Sequence, residues 1–140
     1  MRIKLTVEYD GTNYAGWQRQ ENALAVQQVL EMSLSKLLAR DTPVAGASRT
    51  DAGVHALGQA AHFDAASSIP PEKYAFALNA MLPPDIRVCE SKEVAPGFHA
   101  RFSSTGKLYR YVMYDRRQPS ALYRNMCAHS IYPLDEALMN

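Results

Sequence analysis

Hydrophobic and polar residues alternate at the start of the chain, which is the pattern of a half-buried strand. The large apolar side chains occupy every second position and are Ile3, Leu5, Val7 and Tyr9. Asp10-Gly11 ends this run and opens a polar loop that extends to Asn22. We therefore predict a first strand with one face in the core, followed by a long loop.

Two segments repeat apolar residues at intervals of three and four, which is the periodicity of a helix. The first extends from Leu24 to Arg40, with Pro43 beyond its end. The second begins at Pro70-Pro71. Proline has no backbone N–H group, and it is tolerated at the start of a helix because the N–H groups of the first turn have no partner within the helix. Pro83-Pro84 ends it.

Further strands are predicted at 44–47, 58–64 and 86–94, which gives the order βαββαβ. This order is the split-βαβ, ferredoxin-like (RRM-like) pattern of the α+β class, with an antiparallel sheet. A fifth alternating segment, Lys107 to Tyr114, and helical turns from Leu134 to Asn140 predict the start of a second half. The expected domains are 1–105 and 106–140.

Composition restricts the class of protein. The 140 residues are 47% hydrophobic and 21% charged, which excludes a disordered, collagen-like or coiled-coil chain. No apolar run is long enough for a membrane span, and residues 1–9 alternate instead of forming the apolar block of a signal peptide, so we expect a cytoplasmic protein. The two cysteines, Cys89 and Cys127, form no CxxC motif, and the histidine spacings match no local zinc signature, so no metal is expected.

The net charge of +1 conceals a segregation along the chain. Residues 1–98 and 126–140 each carry a net charge of −2, whereas residues 99–125 carry +5 together with five aromatic side chains. Basic groups neutralise phosphates and aromatic rings stack on unpaired bases, so this block favours an RNA partner. A half-buried strand with a solvated basic face is the alternative.

The segment 47–56 is the most unusual stretch, because it places Arg49 and Asp51 two residues apart after a strand. An arginine beside a carboxylate favours its ionised form, which could act as a nucleophile or a base. The alternative is a simple turn, in which Asp51 bonds its own backbone and Gly53 has a positive φ.

Several motifs, in order and at suitable separations, resemble those of tRNA pseudouridine synthases of the TruA type. They are Tyr9-Asp10-Gly11, Tyr14-Ala15-Gly16-Trp17-Gln18-Arg19-Gln20, Arg49-Thr50-Asp51-Ala52-Gly53-Val54-His55, Phe98-His99-Ala100-Arg101-Phe102 and Tyr109-Arg110-Tyr111. The resemblance covers essentially the whole chain and implies the pseudouridine synthase fold.

The resemblance implies an enzyme that isomerises uridine to pseudouridine in the anticodon stem-loop of tRNA, without a cofactor. Asp51 falls on the essential aspartate of the family. Arg49 would pair with Asp51 and help to hold the flipped-out base. Tyr109 matches a tyrosine that packs on the uracil, and its alternative role is that of a core strand residue.

Other polar residues are expected to contact the RNA. Arg19 and Gln20 follow a tryptophan, Trp17, that looks exposed, and they would line the approach of the tRNA. The candidates for phosphate contacts are Arg101, Arg110, Arg116 and Arg117. His55 and His99 are expected to be structural.

The family resemblance also implies two similar halves, with the active site in the cleft between them, and a homodimer. This chain ends soon after the second half begins, so we expect it to be a fragment of a longer enzyme. Two other functions are less compatible with the sequence. A non-catalytic RNA-binding module would need an RNP1-like run, which residues 107–112 match poorly because they lack the glycine. A glycosidase would need a second placed carboxylate, and no obvious one accompanies Asp51.

Overall fold

A computed structural model of the chain describes residues 1–139, which form two compact units, Met1–Thr105 and the residues from Gly106 onward. The first unit contains four strands and two helices. They are β1 (Arg2–Tyr9), α1 (Val26–Leu38), β2 (Ala45–Gly46), β3 (Ala56–Asp64), α2 (Tyr74–Asn79) and β4 (Ile86–Val94). Short 3-10 turns precede Tyr14 and α2, at Gly11–Asn13 and Pro71–Lys73. The predicted order βαββαβ is confirmed.

The four strands of the first unit form one sheet in the order β2-β3-β1-β4. Every neighbouring pair is antiparallel, as predicted. Each helix therefore connects two strands that have a third strand between them, which is the split-βαβ arrangement. β1 and β3 are the two central strands, and β1 pairs with β3 along one edge and with β4 along the other.

The core lies between one face of the sheet and the two helices. The apolar positions of β1 that alternate in the sequence are all buried there, against Leu30 and Leu34 of α1 and Leu78 of α2. Burial of each such side chain contributes about 1.5–3 kcal/mol to the free energy of unfolding. The opposite face of β1 carries polar side chains, including Lys4 and Thr6, which are only partly buried.

The helix α1 is shorter than predicted at both ends. It begins at Val26 because Ala25 has an extended backbone, and it ends at Leu38 because Ala39 is left-handed, with φ 51°. Such a residue at the C-terminus satisfies carbonyl groups that would otherwise lack partners. Within residues 1–139, no helix combines the length and apolarity needed to cross a membrane.

The second unit corrects one prediction. The fifth strand is confined to β5 (Met113–Asp115), which pairs in parallel with β6 (Ala128–Ser130), and residues 107–112 have no regular structure. An extended segment becomes a strand only where a neighbour takes its backbone hydrogen bonds. Among the described residues, Val112 accepts one such bond from Ala128 of β6 at 2.8 Å, and residues 107–111 pair with no strand. A short helix, α3 (Glu136–Met139), confirms the predicted helical turn; Asn140 lies outside the described residues.

Candidate active-site loop

Asp51 lies in the loop that connects β2 to β3, at the start of a tight turn. The backbone N–H of Val54 donates to the carbonyl oxygen of Asp51 at 3.2 Å, and Gly53 has a φ of +78°. A turn with a positive φ at its third residue favours glycine there. The turn interpretation of this segment is therefore confirmed for its backbone. The Asp51 side chain is exposed and takes no part in it.

The backbone on both sides of Asp51 is held by the loop that follows β1. The N–H of Trp17 donates to the carbonyl oxygen of Thr50 at 3.0 Å, and the N–H of Gly53 donates to the carbonyl oxygen of Tyr14 at 3.2 Å. The hydroxyls of Tyr9 and Thr50 are hydrogen-bonded at 2.8 Å. Asp51 thus presents its carboxylate to solvent from a backbone that is fixed before and after it.

Two glycines allow these loops to approach so closely. Gly16 has a φ of +87°, and a Cβ atom there would collide with the carbonyl group of Thr50. A Cβ on Gly46 would collide with the indole ring of Trp17, which is only 2% exposed. The expectation that Trp17 is exposed is therefore wrong, because Gly46 in β2 leaves room for its ring in the core.

The same loop also completes the N-terminus of α1. The N–H groups of Val26 and Gln27 donate to the carbonyl oxygens of Gly16 and Trp17, at 3.2 and 3.0 Å. The first N–H groups of a helix lack partners within the helix, and Ala25 has no side chain that could cap them. The loop therefore links β1, α1 and the Asp51 turn through backbone hydrogen bonds.

His55 lies at the far end of the turn and contacts the first residues of the loop. Its Nδ1 accepts a hydrogen bond from the N–H of Gly11 at 3.1 Å and lies 3.0 Å from Oδ1 of Asp10. The hydroxyl and the N–H of Thr12 both donate to Asp10, and they are the main reason why the pKa of this carboxyl is lowered. These contacts fit the structural role expected for His55.

Arg49 and Asp51 are both exposed, and no ion pair or hydrogen bond joins their side chains among residues 1–139. The predicted pairing of these residues is thus absent from this structure. Their roles toward RNA stay predictions.

Arg19 and Gln20 have partners within the protein. Arg19 forms an ion pair of 3.0 Å with the buried carboxylate of Glu31, and the amide of Gln20 donates to the carbonyl oxygen of Ala15 at 2.7 Å. Oε1 of Glu31 also accepts from the backbone N–H of Val44. Both predicted RNA-contacting residues therefore stabilise the loop, and their contact with RNA stays a prediction.

The motif 98–102 is anchored on the sheet by His62 and Arg2. Nδ1 of the buried His62 accepts from the N–H of Ala100 at 3.2 Å, and its ring lies 4.8 Å from that of His99. Arg2 donates to the carbonyl oxygen of Phe98 at 2.8 Å. Burial is the main cause that lowers the pKa of His62, and the charges of Arg2 and His99 lower it further.

The remaining predicted site residues are exposed. Arg101 lies in the loop after β4, and its side chain has no ion pair with any described residue. Tyr109 and Arg110 belong to the second unit and to no regular element, with Tyr109 62% exposed. Tyr109 is thus not buried among the described residues, and both of its expected roles stay predictions. Arg116 and Arg117 are exposed as well.

Sequence reasoning missed the contribution of Tyr9 and Thr50 to the site. Both belong to motifs that carry the family resemblance, but their contact depends on how β1 and the loop after β2 meet in space. Across residues 1–139, no group of three or more His, Cys, Asp or Glu side chains could hold a metal ion.

Comparison with known proteins identifies the class. A family model described as tRNA pseudouridine synthase matches residues 5–103, which include all of the βαββαβ unit except the first residues of β1, and the Asp51 loop. The chain belongs to the tRNA pseudouridine synthase family.

Individual relatives share the name tRNA pseudouridine synthase A. The protein of Ruminiclostridium cellulolyticum is 54% identical over 128 residues, which are 91% of this chain and 52% of the relative. That of Acetivibrio thermocellus is 50% identical over 95% of this chain and 54% of its own length. That of Geobacter sulfurreducens is 48% identical over 98% and 56%. The chain spans about half the length of these relatives.

Proposed function

We propose that the complete product of the gene encoding this chain is a tRNA pseudouridine synthase that isomerises uridines in the anticodon stem-loop. The family match supports the reaction. The role of Asp51 is supported by the geometry of the loop that holds it. An exposed carboxylate is presented from a backbone that is hydrogen-bonded on both sides.

The reaction breaks the N1–C1′ bond of uridine and joins C5 to C1′, while a proton leaves C5 and N1 becomes protonated. Reactant and product are isomers, so the reaction needs no redox cofactor. Asp51 would act on the ribose or the base as nucleophile or base, and either role needs an ionised carboxylate held against the flipped-out nucleotide. A fixed backbone supports such placement, because small displacements of a reacting group are costly.

Exposed cations of the first unit support binding of the tRNA backbone. Arg49 is two residues from Asp51 and Arg101 lies in the same unit, and neither has an ion pair with a described residue. Each cation that neutralises a phosphate makes binding more dependent on salt. Replacement of either arginine by glutamine should therefore weaken tRNA binding and reduce its salt dependence.

The decisive experiment replaces Asp51 by asparagine in the complete gene product and measures pseudouridine in tRNA by nucleoside chromatography. We expect no product, with tRNA affinity retained, because the substitution removes the charge and keeps the shape. Asp41→Asn, at another exposed carboxylate of the same unit, is the matched control and should remain active. Pseudouridine formation by the Asp51→Asn protein would refute the role of Asp51, and a wild type that binds tRNA without converting it would indicate a binding module.

We further propose that Tyr109 contacts the uracil, that the complete product is a homodimer and that it is cytoplasmic. The first two come from the family resemblance, and the third comes from the hydropathy pattern of the sequence. Tyr109→Phe keeps the ring and removes the hydroxyl, so a loss of turnover with unchanged affinity would assign the hydroxyl to proton transfer from C5. Sedimentation of the complete product tests the dimer.

A further inference from the structure

We propose that Tyr9 and Thr50 form a positioning pair for Asp51, in which the hydrogen bond between their hydroxyls sets the orientation of the catalytic carboxylate. This inference rests on the proposed function. It assigns a role in the reaction to two residues that do not themselves contact the reacting atoms.

Tyr9 is well suited to fix a neighbouring group. It is the last residue of β1, where its backbone pairs with Ala56 on one side and Ile86 on the other. Its side chain is 2% exposed, and its ring packs 6.0 Å from that of Trp17. The ring therefore has little freedom, and its hydroxyl is delivered to one place.

Thr50 is held at two atoms. Its carbonyl oxygen accepts from the N–H of Trp17 at 3.0 Å, and its hydroxyl is bonded to that of Tyr9 at 2.8 Å. The carbonyl belongs to the peptide that joins Thr50 to Asp51, so the first bond restrains the plane of that peptide. The second bond restrains the Thr50 side chain, and with it the backbone angles that aim Asp51.

The interaction has two features expected of a positioning contact. The Tyr9 side chain is buried, which removes it from any direct contact with tRNA, while Asp51, the residue after Thr50, is exposed. The contact also joins the sheet to the loop, so it transmits the rigidity of the central strand to the carboxylate. Loss of the bond should affect turnover more than binding.

The test is a double-mutant cycle in the complete gene product, with kcat and KM for pseudouridine formation measured on unmodified tRNA. We expect Thr50→Val to lower kcat about tenfold to a hundredfold with little change in KM. A displacement of a reacting group by up to about 1 Å lowers the rate of the chemical step by factors of this order. Tyr9→Phe should have a similar effect. The double variant should be no slower than the slower single variant, because each single substitution already removes the hydrogen bond that the two hydroxyls share.

Two further variants separate positioning from folding. Thr50→Ser retains the hydroxyl and should retain most of the turnover. Thr42→Val removes another threonine hydroxyl of the same unit, which donates to the carbonyl oxygen of Arg40 at 3.0 Å, and it should leave kcat unchanged. If Thr50→Val does not fold, Tyr9→Phe and Thr50→Ser still decide the question.

Unchanged kcat in Tyr9→Phe or Thr50→Val, or effects that multiply in the double variant, would overturn the proposal. These outcomes differ from failure of the proposed function. A wild type that makes no pseudouridine refutes that function, whereas an active wild type with equally active single variants refutes the positioning pair alone.

Discussion

The first strand and the segment 107–112 begin from similar sequence patterns and have different structures. Both alternate apolar and polar residues, but Leu5 in β1 is fully buried whereas Leu108 is 87% exposed. β1 has β3 and β4 along its edges and helices over one face, whereas residues 107–111 pair with no strand in the described part of the chain. Alternation therefore reports the capacity of a segment to become a strand, and its neighbours decide whether it does.

The largest difference between the two segments is expected when a leucine in each is truncated to alanine. We expect Leu5→Ala to lower the free energy of unfolding of the first unit by about 2–5 kcal/mol, because it leaves a cavity in the core. Leu108→Ala should change stability by less than about 0.5 kcal/mol, as for other exposed positions. Urea denaturation of both variants measures the difference, and equal losses would show that Leu108 packs in a core in solution.

A second test compares glycines. Gly16→Ala places a Cβ against the carbonyl of Thr50 at a backbone angle that disfavours alanine, so we expect a loss of about 1–3 kcal/mol. Gly106→Ala, where nothing lies within 4 Å of the added atom, should be nearly neutral and is the control from the second unit. A Gly16→Ala protein with wild-type stability in thermal denaturation would contradict the close approach of the two loops.

The smallest expected effect concerns pH and the histidines. His62 has a pKa below its usual value of 6.5, chiefly because it is buried, so the unfolded chain takes up a proton more readily than the folded one. Its contribution to stability is full above pH 6.5 and is lost as the pH falls toward the lowered pKa. The contributions of Asp64 and Asp10 to stability are lost in stronger acid, because the pKa of each carboxyl is lowered in the folded protein. Hydrogen bonds from Arg2 are the main cause for Asp64, and hydrogen bonds from Thr12 are the main cause for Asp10.

His62→Asn keeps an acceptor for the N–H of Ala100 and removes the titrating group. Denaturation in urea at pH 7 and pH 5 should therefore show a smaller pH dependence in this variant than in the wild type. His129→Asn, in the second unit, is the matched control and should leave the pH dependence of the first unit as it was. An unchanged slope in His62→Asn would assign the pH dependence to other groups.

The parts of the fold that depend on local pattern were predictable. β1, α1 and the βαββαβ order follow from periodicity within each segment, and the Asp51 turn follows from Gly53. The burial of Trp17 could not be predicted from local pattern, because it depends on Gly46, which is distant in the chain. The absence of an ion pair between Arg49 and Asp51 in this structure has a similar reason, since proximity in sequence does not require exposed side chains in a turn to meet.

The packing of Trp17 against Gly46 gives the site an optical reporter. Trp17 is the sole tryptophan of the chain, and its indole is buried where the loop after β1 meets β2. Its backbone N–H also bonds the residue before Asp51. Any event that separates the two loops exposes this ring to water, so the wavelength of its fluorescence emission follows the assembly of the Asp51 turn without an added label.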